Sequence, residues 1–409
     1  MRFTELGLHD DILTSLDSMG FEKATPVQEQ TIPVIMEGKD IIACAQTGTG
    51  KTAAFIIPVL NHILNSPPKA GIRAMIIVPT RELAKQIDNE LQGFSYFTNC
   101  TSLAVYGGGD GSDFDREKKA LKEGADFIIA TPGRMKTHLS MGYAHTENIE
   151  FFILDEADRM LDMGFYEDIA AISSHLPDKR HNLLFSATMP PKIRDLAKEI
   201  LHDPAEVSIA ISQTAEGVMQ IAYLCYDQYK EDLITRLLDG RDLKSVIIFA
   251  SRKSTVSSLA RRLKKKGLNA APISSDLNQD QREEVLRQFR AKRLNILVAT
   301  DIMARGIDIK EIELVMNYEV PNDAEDYVHR VGRTARASTT GIAITLIGPD
   351  EMGKFSGIEQ LIKKEVRKMP TPGDIGPSPE WNPKSRGGGR GRGPKKGGRG
   401  RSNGGRNRR

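Results

Sequence analysis

The sequence predicts an α/β fold of two tandem domains with parallel sheets, followed by a disordered basic tail. Short apolar runs such as residues 74–78 alternate with helix-like segments through both halves, which is typical of buried parallel strands. The 409 residues exceed what a single core usually holds. From Pro370 the chain is rich in Pro and Gly and ends in Arg-Gly repeats, a composition that cannot bury a core. The predicted units are a first domain (1–205), a linker (206–217), a second domain (218–369) and the tail (370–409).

Charge is distributed unevenly along the chain. The net charge is +3, but residues 1–380 hold 46 basic and 54 acidic residues, whereas residues 381–409 hold 11 basic residues and no acidic one. A mildly acidic body with a basic tail predicts an anionic partner for the tail, and nucleic acid fits best. A tail that only improves solubility is the alternative.

The cysteine pattern and the hydropathy indicate the cellular compartment in which the protein works. Cys44, Cys100 and Cys225 are scattered singly without a CxxC pair, which argues against zinc and for a reducing compartment. No apolar run reaches the length of a membrane span, and the first residues do not begin a signal peptide. We therefore expect a cytoplasmic protein that does not bind membranes.

A glycine-bearing loop between a strand and a helix is the strongest motif. It follows the apolar residues 41–44, and its Gly-Lys-Thr sequence fits a P-loop, with Ala45 where the first glycine usually stands. Glycines let successive N–H groups converge on an anion, and the helix start adds partial positive charge. Lys51 would reach the outer phosphates, and the Thr52 hydroxyl would coordinate Mg²⁺. The predicted phosphate-binding residues are Ala45, Gln46, Thr47, Gly48, Thr49, Gly50, Lys51 and Thr52.

A helix start just upstream of this loop carries a glutamine. Pro26 suits the first turn of a helix, with Thr25 as its cap, and this would fix Gln28 near the loop. An amide offers one acceptor and two donors, which are enough to read the edge of an adenine. An ordinary surface glutamine is the alternative.

Carboxylates and hydroxyls follow two further apolar strands. Residues 151–154 end at Asp155 and Glu156, the Walker-B arrangement, in which Asp155 would hold Mg²⁺ and Glu156 would deprotonate the attacking water. Residues 183–185 end at Ser186 and Thr188, whose hydroxyls we expect to hydrogen-bond carboxylates at the neighbouring strand end.

Three loops combine Thr, Gly or a helix start with nearby Arg, the groups that hold a phosphodiester backbone without reading bases. Because the carboxyl ends of parallel strands line one crevice, we expect these loops to share a sheet edge. Ordinary loop chemistry is the alternative for each. Their residues are Pro79, Thr80 and Arg81, then Gly107 and Gly108, then Thr131, Pro132, Gly133 and Arg134.

The second half has strands but no Gly-Lys-Thr of its own, so we expect one nucleotide per chain. Near its end, Arg330, Arg333 and Arg336 recur every three residues and would share one side of a helix. Arginines so placed suit stabilisation of charge on a transferring phosphoryl group. A solvated charged face is the alternative.

In order, spacing and identity, six segments resemble the successive motifs of the DEAD-box RNA helicases, and the resemblance covers roughly residues 1–368. The RhlE-like bacterial branch looks most similar. Ala335 departs from the family's usual glycine. The segments are Gly20–Gln28, Ala45–Thr52, Pro79–Ala84, Thr131–Arg134, Asp155–Asp158 and Ser186–Thr188.

The resemblance implies two RecA-like domains that bind ATP and Mg²⁺ in one cleft and single-stranded RNA across both domains. It implies that Phe21 stacks on adenine with Lys23 beside it, that Asp308 contacts the ribose, and that Arg333 and Arg336 act as arginine fingers. Further implied RNA contacts are Arg252, Arg282, Thr300 and Gly306. The residues implied to couple the two sites are Asp158, Ser186, Thr188, His329 and Arg330.

The expected activity is RNA-stimulated ATP hydrolysis coupled to domain closure, with local unwinding of short duplexes or remodelling of RNA–protein complexes. Two alternatives remain open. The chain could act as an ATP-gated RNA clamp or assembly platform with little unwinding, or as a DNA translocase on the same two-domain core. Every predicted RNA contact is to the backbone, so no particular RNA is implied.

Overall fold

The computed structural model describes residues 1–45, 48–108, 111–209, 218–301, 312–334 and 341–384, with the backbone alone at residue 325. The first domain contains seven strands: β1 (Ile41–Cys44), β2 (Ala74–Ile77), β3 (Ser102–Val105), β4 (Phe127–Ala130), β5 (Phe151–Leu154), β6 (His181–Ser186) and β7 (Ala205–Ser208). Its helices are α1 (Asp10–Ser18), α2 (Pro26–Met36), α3 (Lys51–Asn65), α4 (Arg81–Phe94), α5 (Gly111–Glu123), α6 (Pro132–Ser140), α7 (Ala157–Asp162), α8 (Tyr166–Ser173) and α9 (Pro191–Ile200).

The second domain repeats the design with seven strands: β8 (Val218–Leu224), β9 (Val246–Phe249), β10 (Ala270–Ile273), β11 (Ile296–Ala299), β12 (Leu314–Asn317), β13 (Gly341–Ile347) and β14 (Arg367–Pro370). Its described helices are α10 (Asp227–Leu238), α11 (Lys253–Lys265), α12 (Gln279–Arg290), α13 (Ala324–Val331) and α14 (Met352–Ile362). Short 3₁₀ turns cover Phe3–Glu5 and Pro349–Glu351.

Both sheets are parallel at every described pairing, as the apolar strands predict. The strand order is β3-β4-β2-β5-β6-β1-β7 in the first domain and β10-β11-β9-β12-β13-β8-β14 in the second. Strands such as β2, β4 and β5 are buried along their whole length, because separate apolar clusters cover the two faces of the first sheet.

The strand order sorts the predicted site residues into two groups. The P-loop and the carboxylate and hydroxyl motifs follow β1, β5 and β6, which are adjacent, whereas the three predicted RNA loops follow β2, β3 and β4, which are also adjacent. In the second domain Arg252 follows β9 and Thr300 follows β11, its neighbour. At one edge of the first sheet, the residues predicted to bind nucleotide therefore lie on one half and the residues predicted to bind RNA lie on the other.

The first domain extends beyond the predicted boundary at residue 205. Residues 205–208 form β7, which pairs with β1, and Ile209 N donates to the Cys44 carbonyl oxygen. The apolar side chain of Val207 joins the first core, which explains why the strand continues into the segment predicted as linker. The remaining predicted linker, residues 210–217, lies outside the described residues.

The predicted start of the tail at Pro370 is wrong. The basic helix expected near residues 358–369 is a helix only to Ile362, and β14 follows it. Residues 371–384 then pack on the second domain: the hydroxyls of Thr371 and Ser378 donate to the Leu224 carbonyl oxygen, and Trp381 lies edge-on to Phe355. These contacts outweigh the Pro- and Gly-rich composition, which alone predicted disorder. The Arg/Gly-rich residues 385–409 lie outside the described residues.

Among the described residues, no helix combines the length and apolar character needed to cross a membrane.

Candidate functional site

The P-loop has the backbone that its glycines permit. Gly48 and Gly50 adopt φ angles of +84° and +91°, and α3 begins at Lys51. A Cβ atom on Gly50 would lie 2.5 Å from the Gln28 amide nitrogen, so a side chain there would displace Gln28. Gln46 and Thr47 lie outside the described residues.

Gln28 is buried and holds this loop in place. As predicted, Thr25 occupies the N-cap position of α2 and Pro26 opens the helix; the Thr25 N–H donates to Gln28 Oε1 at 2.9 Å. Gln28 Nε2 donates to the Gly50 carbonyl oxygen at 3.0 Å. One lone pair and one N–H of the amide remain for another ligand. The contact with Gly50 was not predicted from the sequence.

Lys51 is a buried cation at the start of α3. Its side chain is 5% exposed, and Nζ has no hydrogen-bond partner among the described residues. Leaving an ammonium group buried and unbonded is costly, so this geometry favours an anionic ligand. A phosphate group bound between the loop amides and Lys51 would supply the missing acceptor.

Asp155 and Glu156 lie beside Lys51, after β5. Burial raises the pKa of Asp155 to about 6, although Lys51 opposes the shift. Burial also acts to raise the pKa of Glu156, but the charges of Arg159, Lys51 and Arg333 outweigh it and hold that pKa below its usual value. Arg159 Nη1 donates to Glu156 Oε2 at 3.0 Å. Glu156 is therefore kept ionised, as a proton acceptor must be.

Of the two hydroxyls at the end of β6, that of Thr188 hydrogen-bonds a carboxylate, as predicted, whereas that of Ser186 accepts from the Asp158 backbone instead. Thr188 donates from both its N–H and its Oγ1 to Asp158 Oδ2, at 3.0 and 2.9 Å, and the Asp158 N–H lies 3.3 Å from Ser186 Oγ. The ends of β5 and β6 are thus joined through Asp158.

A cleft of about 230 Å³ lies between the two domains at this point. Glu156, Asp158 and Thr188 line it from the first domain, and His329 and Arg333 line it from the second. The positive charge of Arg333 helps to lower the pKa of Glu156 from across the cleft. Arg336 and Asp308, the other nucleotide candidates of the second domain, lie outside the described residues.

Arg330 and Arg333 do not share one helix face. α13 ends at Val331, so Arg333 lies in the turn after it. Arg330 points into the second domain instead, where Nε and Nη2 each bind an oxygen of Asp301 at 2.6 Å and the guanidinium lies over the Phe249 ring. The period-three prediction failed here because the helix ends within it.

Phe21 and Lys23 lie before α2. Phe21 is half-buried and packs edge-on against Phe94, with ring centroids 5.4 Å apart, and against Phe3 at 6.3 Å. Lys23 is exposed and forms an isolated bridge with Arg2. These contacts fix the position of the Phe21 ring.

Two of the three predicted RNA loops of the first domain meet directly. Thr80 caps α4, and Arg81 is its first residue. Gly108 has φ +85°, and a Cβ atom there would overlap the Arg81 guanidinium. Glycine at this position therefore lets Arg81 lie against the loop of Gly107 and Gly108.

The third loop differs from the prediction. Thr131 occupies the N-cap position of α6 and Pro132 opens the helix, which leaves the Gly133 N–H at a helix start, as expected. The Arg134 side chain, however, is mostly buried, with Nε and Nη2 both 2.6 Å from Glu117 Oε2. An acidic residue of α5 thus binds the guanidinium that was predicted to bind RNA.

The second-domain candidates occupy different environments. Arg252 lies directly before α11 and is exposed, Thr300 is buried after β11, and Gly306 lies outside the described residues. Arg282 reaches the first domain, where Nη1 lies 3.2 Å from Glu82 Oε1.

Three residues of this site were missed from the sequence: Glu82, Glu117 and Arg159. Arg159 lies three residues after Glu156, a spacing that signals a contact on one helix. Glu82 and Glu117 contact residues far away in the chain, so no local pattern identifies them.

The fold and the site together define a class: a two-domain P-loop protein whose second domain supplies an arginine to the nucleotide cleft. The family model described as DEAD/DEAH box helicase matches residues 25–196, and the model described as helicase conserved C-terminal domain matches residues 229–338. The ATP-dependent RNA helicase CshA of Limosilactobacillus reuteri is 43% identical over 371 residues, which are 90% of this chain and 73% of the relative.

Two solved structures have the same two-domain architecture. Dbp5 of S. cerevisiae bound to RNA and ADP BeF3 has a TM-score of 0.82 and 30% identity, covering 90% of this chain and 95% of that one. Mss116p bound to ssRNA and AMP-PNP has a TM-score of 0.79 and 30% identity, covering 91% of this chain and 80% of that one. The chain belongs to the DEAD-box RNA helicases, enzymes with two RecA-like domains.

Proposed function

We propose that this enzyme couples RNA-stimulated ATP hydrolysis to closure of its two domains, and so unwinds short RNA duplexes locally or remodels RNA–protein complexes. The proposal rests mainly on the position of Arg333, which lines the same cleft as Glu156 and whose charge helps to lower the pKa of Glu156. A site that needs both residues is complete only while the domains are together. Any ligand that spans both domains then favours the active arrangement.

The ATP-binding role proposed for the P-loop rests on Lys51, whose buried Nζ has no hydrogen-bond partner in the part of the chain that the structure describes. Asp155 and Thr52 would hold Mg²⁺, which when bound neutralises phosphate charge. Asp155 is buried at the end of β5, and a carboxylate oxygen is a ligand of the kind that Mg²⁺ takes in proteins. Glu156 would accept a proton from the attacking water, and Arg333 and Arg336 would stabilise charge on the γ-phosphoryl group. Gln28 would orient both the P-loop and the adenine. Phe21 would stack on the base, and Asp308 would contact the ribose.

RNA is proposed to cross both domains along the half of each sheet edge that lies away from the nucleotide. The relatives Dbp5 and Mss116p were solved with RNA, which supports an RNA ligand here. The proposed contacts are Pro79, Thr80, Arg81, Gly107, Gly108, Thr131, Pro132 and Gly133 in the first domain, and Arg252, Arg282, Thr300 and Gly306 in the second. Contacts to the backbone alone would make binding largely independent of sequence.

Asp158, Ser186 and Thr188 would couple the two sites, because they connect the carboxylate motif to the cleft that His329 shares. Hydrolysis removes the γ-phosphate contacts, and reopening of the cleft would then release the RNA.

Strand release from a short labelled RNA duplex tests this proposal against an ATP-gated clamp. We expect release with ATP and a persistent complex with a non-hydrolysable analogue. A complex that persists equally with ATP, without strand release, would favour the clamp. Equal release from a matched DNA duplex would favour the translocase.

Three finer assignments are also proposals. The RhlE-like branch stays a prediction, since the relative reported above is named CshA. We propose that the Arg/Gly-rich tail adds salt-sensitive affinity for RNA, and that the enzyme works in the cytoplasm.

A further inference from the structure

Glu117 is a buried carboxylate that lies between two of the proposed RNA loops. Its side chain is 5% exposed and comes from α5. Oε1 accepts a hydrogen bond from the Tyr106 N–H at 3.0 Å. Oε2 accepts from Nε and Nη2 of Arg134 and lies 2.9 Å from His138 Nε2. One carboxylate thus binds the residue before Gly107 and two residues of α6.

Aromatic side chains around Glu117 contact the same two residues of α6, Arg134 and His138. Phe114, one turn earlier on α5, stacks on the His138 ring with centroids 4.7 Å apart, and the Arg134 guanidinium lies 4.5 Å from the Phe114 ring. His138 is fully buried and its other ring nitrogen contacts the Tyr143 hydroxyl. The Arg134 guanidinium therefore has a charged partner on one side and an aromatic face on another.

The position of Arg134 changes how its loop can bind RNA. The Arg134 guanidinium contacts Glu117. The part of this loop that faces outward is therefore the backbone at the start of α6, with the N–H of Gly133. Amides at a helix start bind phosphate, and two such loops contact one RNA backbone together only if the distance between them matches the spacing of its phosphates. The next contact on this edge is the loop of Gly107 and Gly108, against which Arg81 lies.

We propose that Glu117 is a positioning residue for RNA binding: its carboxylate joins the 106–108 loop to the start of α6 and so sets the distance between two phosphate-binding loops. Arg134 acts with it as a positioning residue and does not contact phosphate. This inference rests on the proposed function, since it assumes that these two loops bind RNA.

Glu117→Gln is the main test. The substitution preserves the shape of the side chain, but a single amide oxygen cannot accept both from the Tyr106 N–H and from the donors of α6. We expect the RNA concentration for half-maximal ATPase stimulation to rise about tenfold, the loss of roughly one charge-assisted hydrogen bond. The kcat at saturating RNA and the affinity for nucleotide should remain within about twofold, because the P-loop side of the sheet is untouched. Glu123→Gln makes the same charge change on an exposed residue of α5 and should change none of these values.

Salt dependence separates positioning from phosphate contact at Arg134. A phosphate contact contributes about 0.7 to the slope of log affinity against log salt for single strands. We expect Arg134→Gln to weaken RNA binding while leaving this slope unchanged, whereas Arg81→Gln should reduce the slope. If Glu117→Gln fails to fold, Arg134→Lys, which keeps the charge but loses the fork, should reproduce the rise in half-maximal RNA concentration.

Two results would overturn the inference. One is an unchanged half-maximal RNA concentration in folded Glu117→Gln or Arg134→Lys. The other is a slope reduced by Arg134→Gln as much as by Arg81→Gln. Failure of the proposed function is distinguishable, because it is read on the unsubstituted enzyme: RNA would then not stimulate its ATPase at all.

Discussion

Arg282 of the second domain lies 3.2 Å from Glu82 of the first, and both side chains are largely buried in the contact. Gln279 Nε2 also donates to Glu82, and Lys85 binds Glu283 at 2.9 Å beside it. The helices α4 and α12 therefore meet through charged and polar pairs at the RNA half of the sheet edge. Glu82 directly follows Arg81, so a contact between the domains is adjacent to a proposed RNA contact.

We predict that Glu82→Gln and Arg282→Gln each raise the RNA concentration needed for half-maximal ATPase stimulation, because each removes the ion pair between the domains; Arg282→Gln also removes a proposed RNA contact, so its effect should be the larger. A double-mutant cycle should give a coupling energy of about 1 kcal/mol. Additive effects of the two substitutions would show that the pair does not contribute to closure.

Glu156→Gln should abolish turnover while RNA binding in the presence of ATP is kept. The amide cannot accept the proton of the attacking water, so kcat should fall by roughly 10²- to 10⁴-fold. ATP hydrolysis and fluorescence anisotropy of labelled RNA measure the two effects. Glu167→Gln, at an exposed position of α8, is the matched control. Normal turnover in Glu156→Gln would remove Glu156 from its proposed role.

Lys51→Ala should eliminate the stabilisation of the protein by ATP and Mg²⁺. A ligand at one hundred times its Kd stabilises the folded state by about 2.7 kcal/mol, which a thermal shift assay detects readily. The enzyme should show this shift, chelation of Mg²⁺ with EDTA should reduce it, and Lys51→Ala should show none. An equal shift in the variant would place the nucleotide elsewhere.

Glu150→Gln should destabilise the first domain in a pH-dependent way. Glu150 binds the buried Arg73 at 2.7 Å. Burial acts to raise the pKa of Glu150, but hydrogen bonds from His62 and Arg73 outweigh it and hold that pKa below its usual value. A lowered carboxyl pKa contributes stability above the unfolded-state pKa, and this stability is lost as the pH falls through the folded-state value.

At pH 7 the loss in Glu150→Gln should be about 3 kcal/mol, because Arg73 stays buried without its charged partner. Urea unfolding of the first domain between pH 7 and pH 3 measures it. The difference from the unsubstituted enzyme should shrink once the pH falls below the ordinary range of glutamate. The exposed Glu147→Gln should change stability by less than about 0.5 kcal/mol. A difference that does not vary with pH would exclude the ion pair as its source.

The residues that could be predicted from the sequence lie in short contiguous motifs. The P-loop, Asp155 and Glu156, and the contact of Thr188 with Asp158 follow from strand ends that a parallel sheet places together. The pairing of Arg134 with Glu117 could not be predicted, because 17 residues separate them and only the packing of α5 on α6 brings them together.

Two further predictions fail for local physical reasons. A spacing of three residues predicts that Arg330 and Arg333 share one side of a helix, but α13 ends at Val331 and Arg330 binds Asp301. The Pro- and Gly-rich composition of residues 371–384 predicts a disordered tail. Composition does not reveal the contacts of Thr371, Ser378 and Trp381 with the second domain, which depend on the folded surface.

In the proposed function, nucleic acid that spans both domains brings Arg333 to Glu156. This claim is tested by ATP hydrolysis by the purified enzyme alone, with single-stranded RNA, and with DNA of the same sequence, at one fixed salt concentration. We predict slow hydrolysis alone and strong stimulation by RNA only. Equally fast hydrolysis without nucleic acid would contradict the claim, because the cleft would then close unaided.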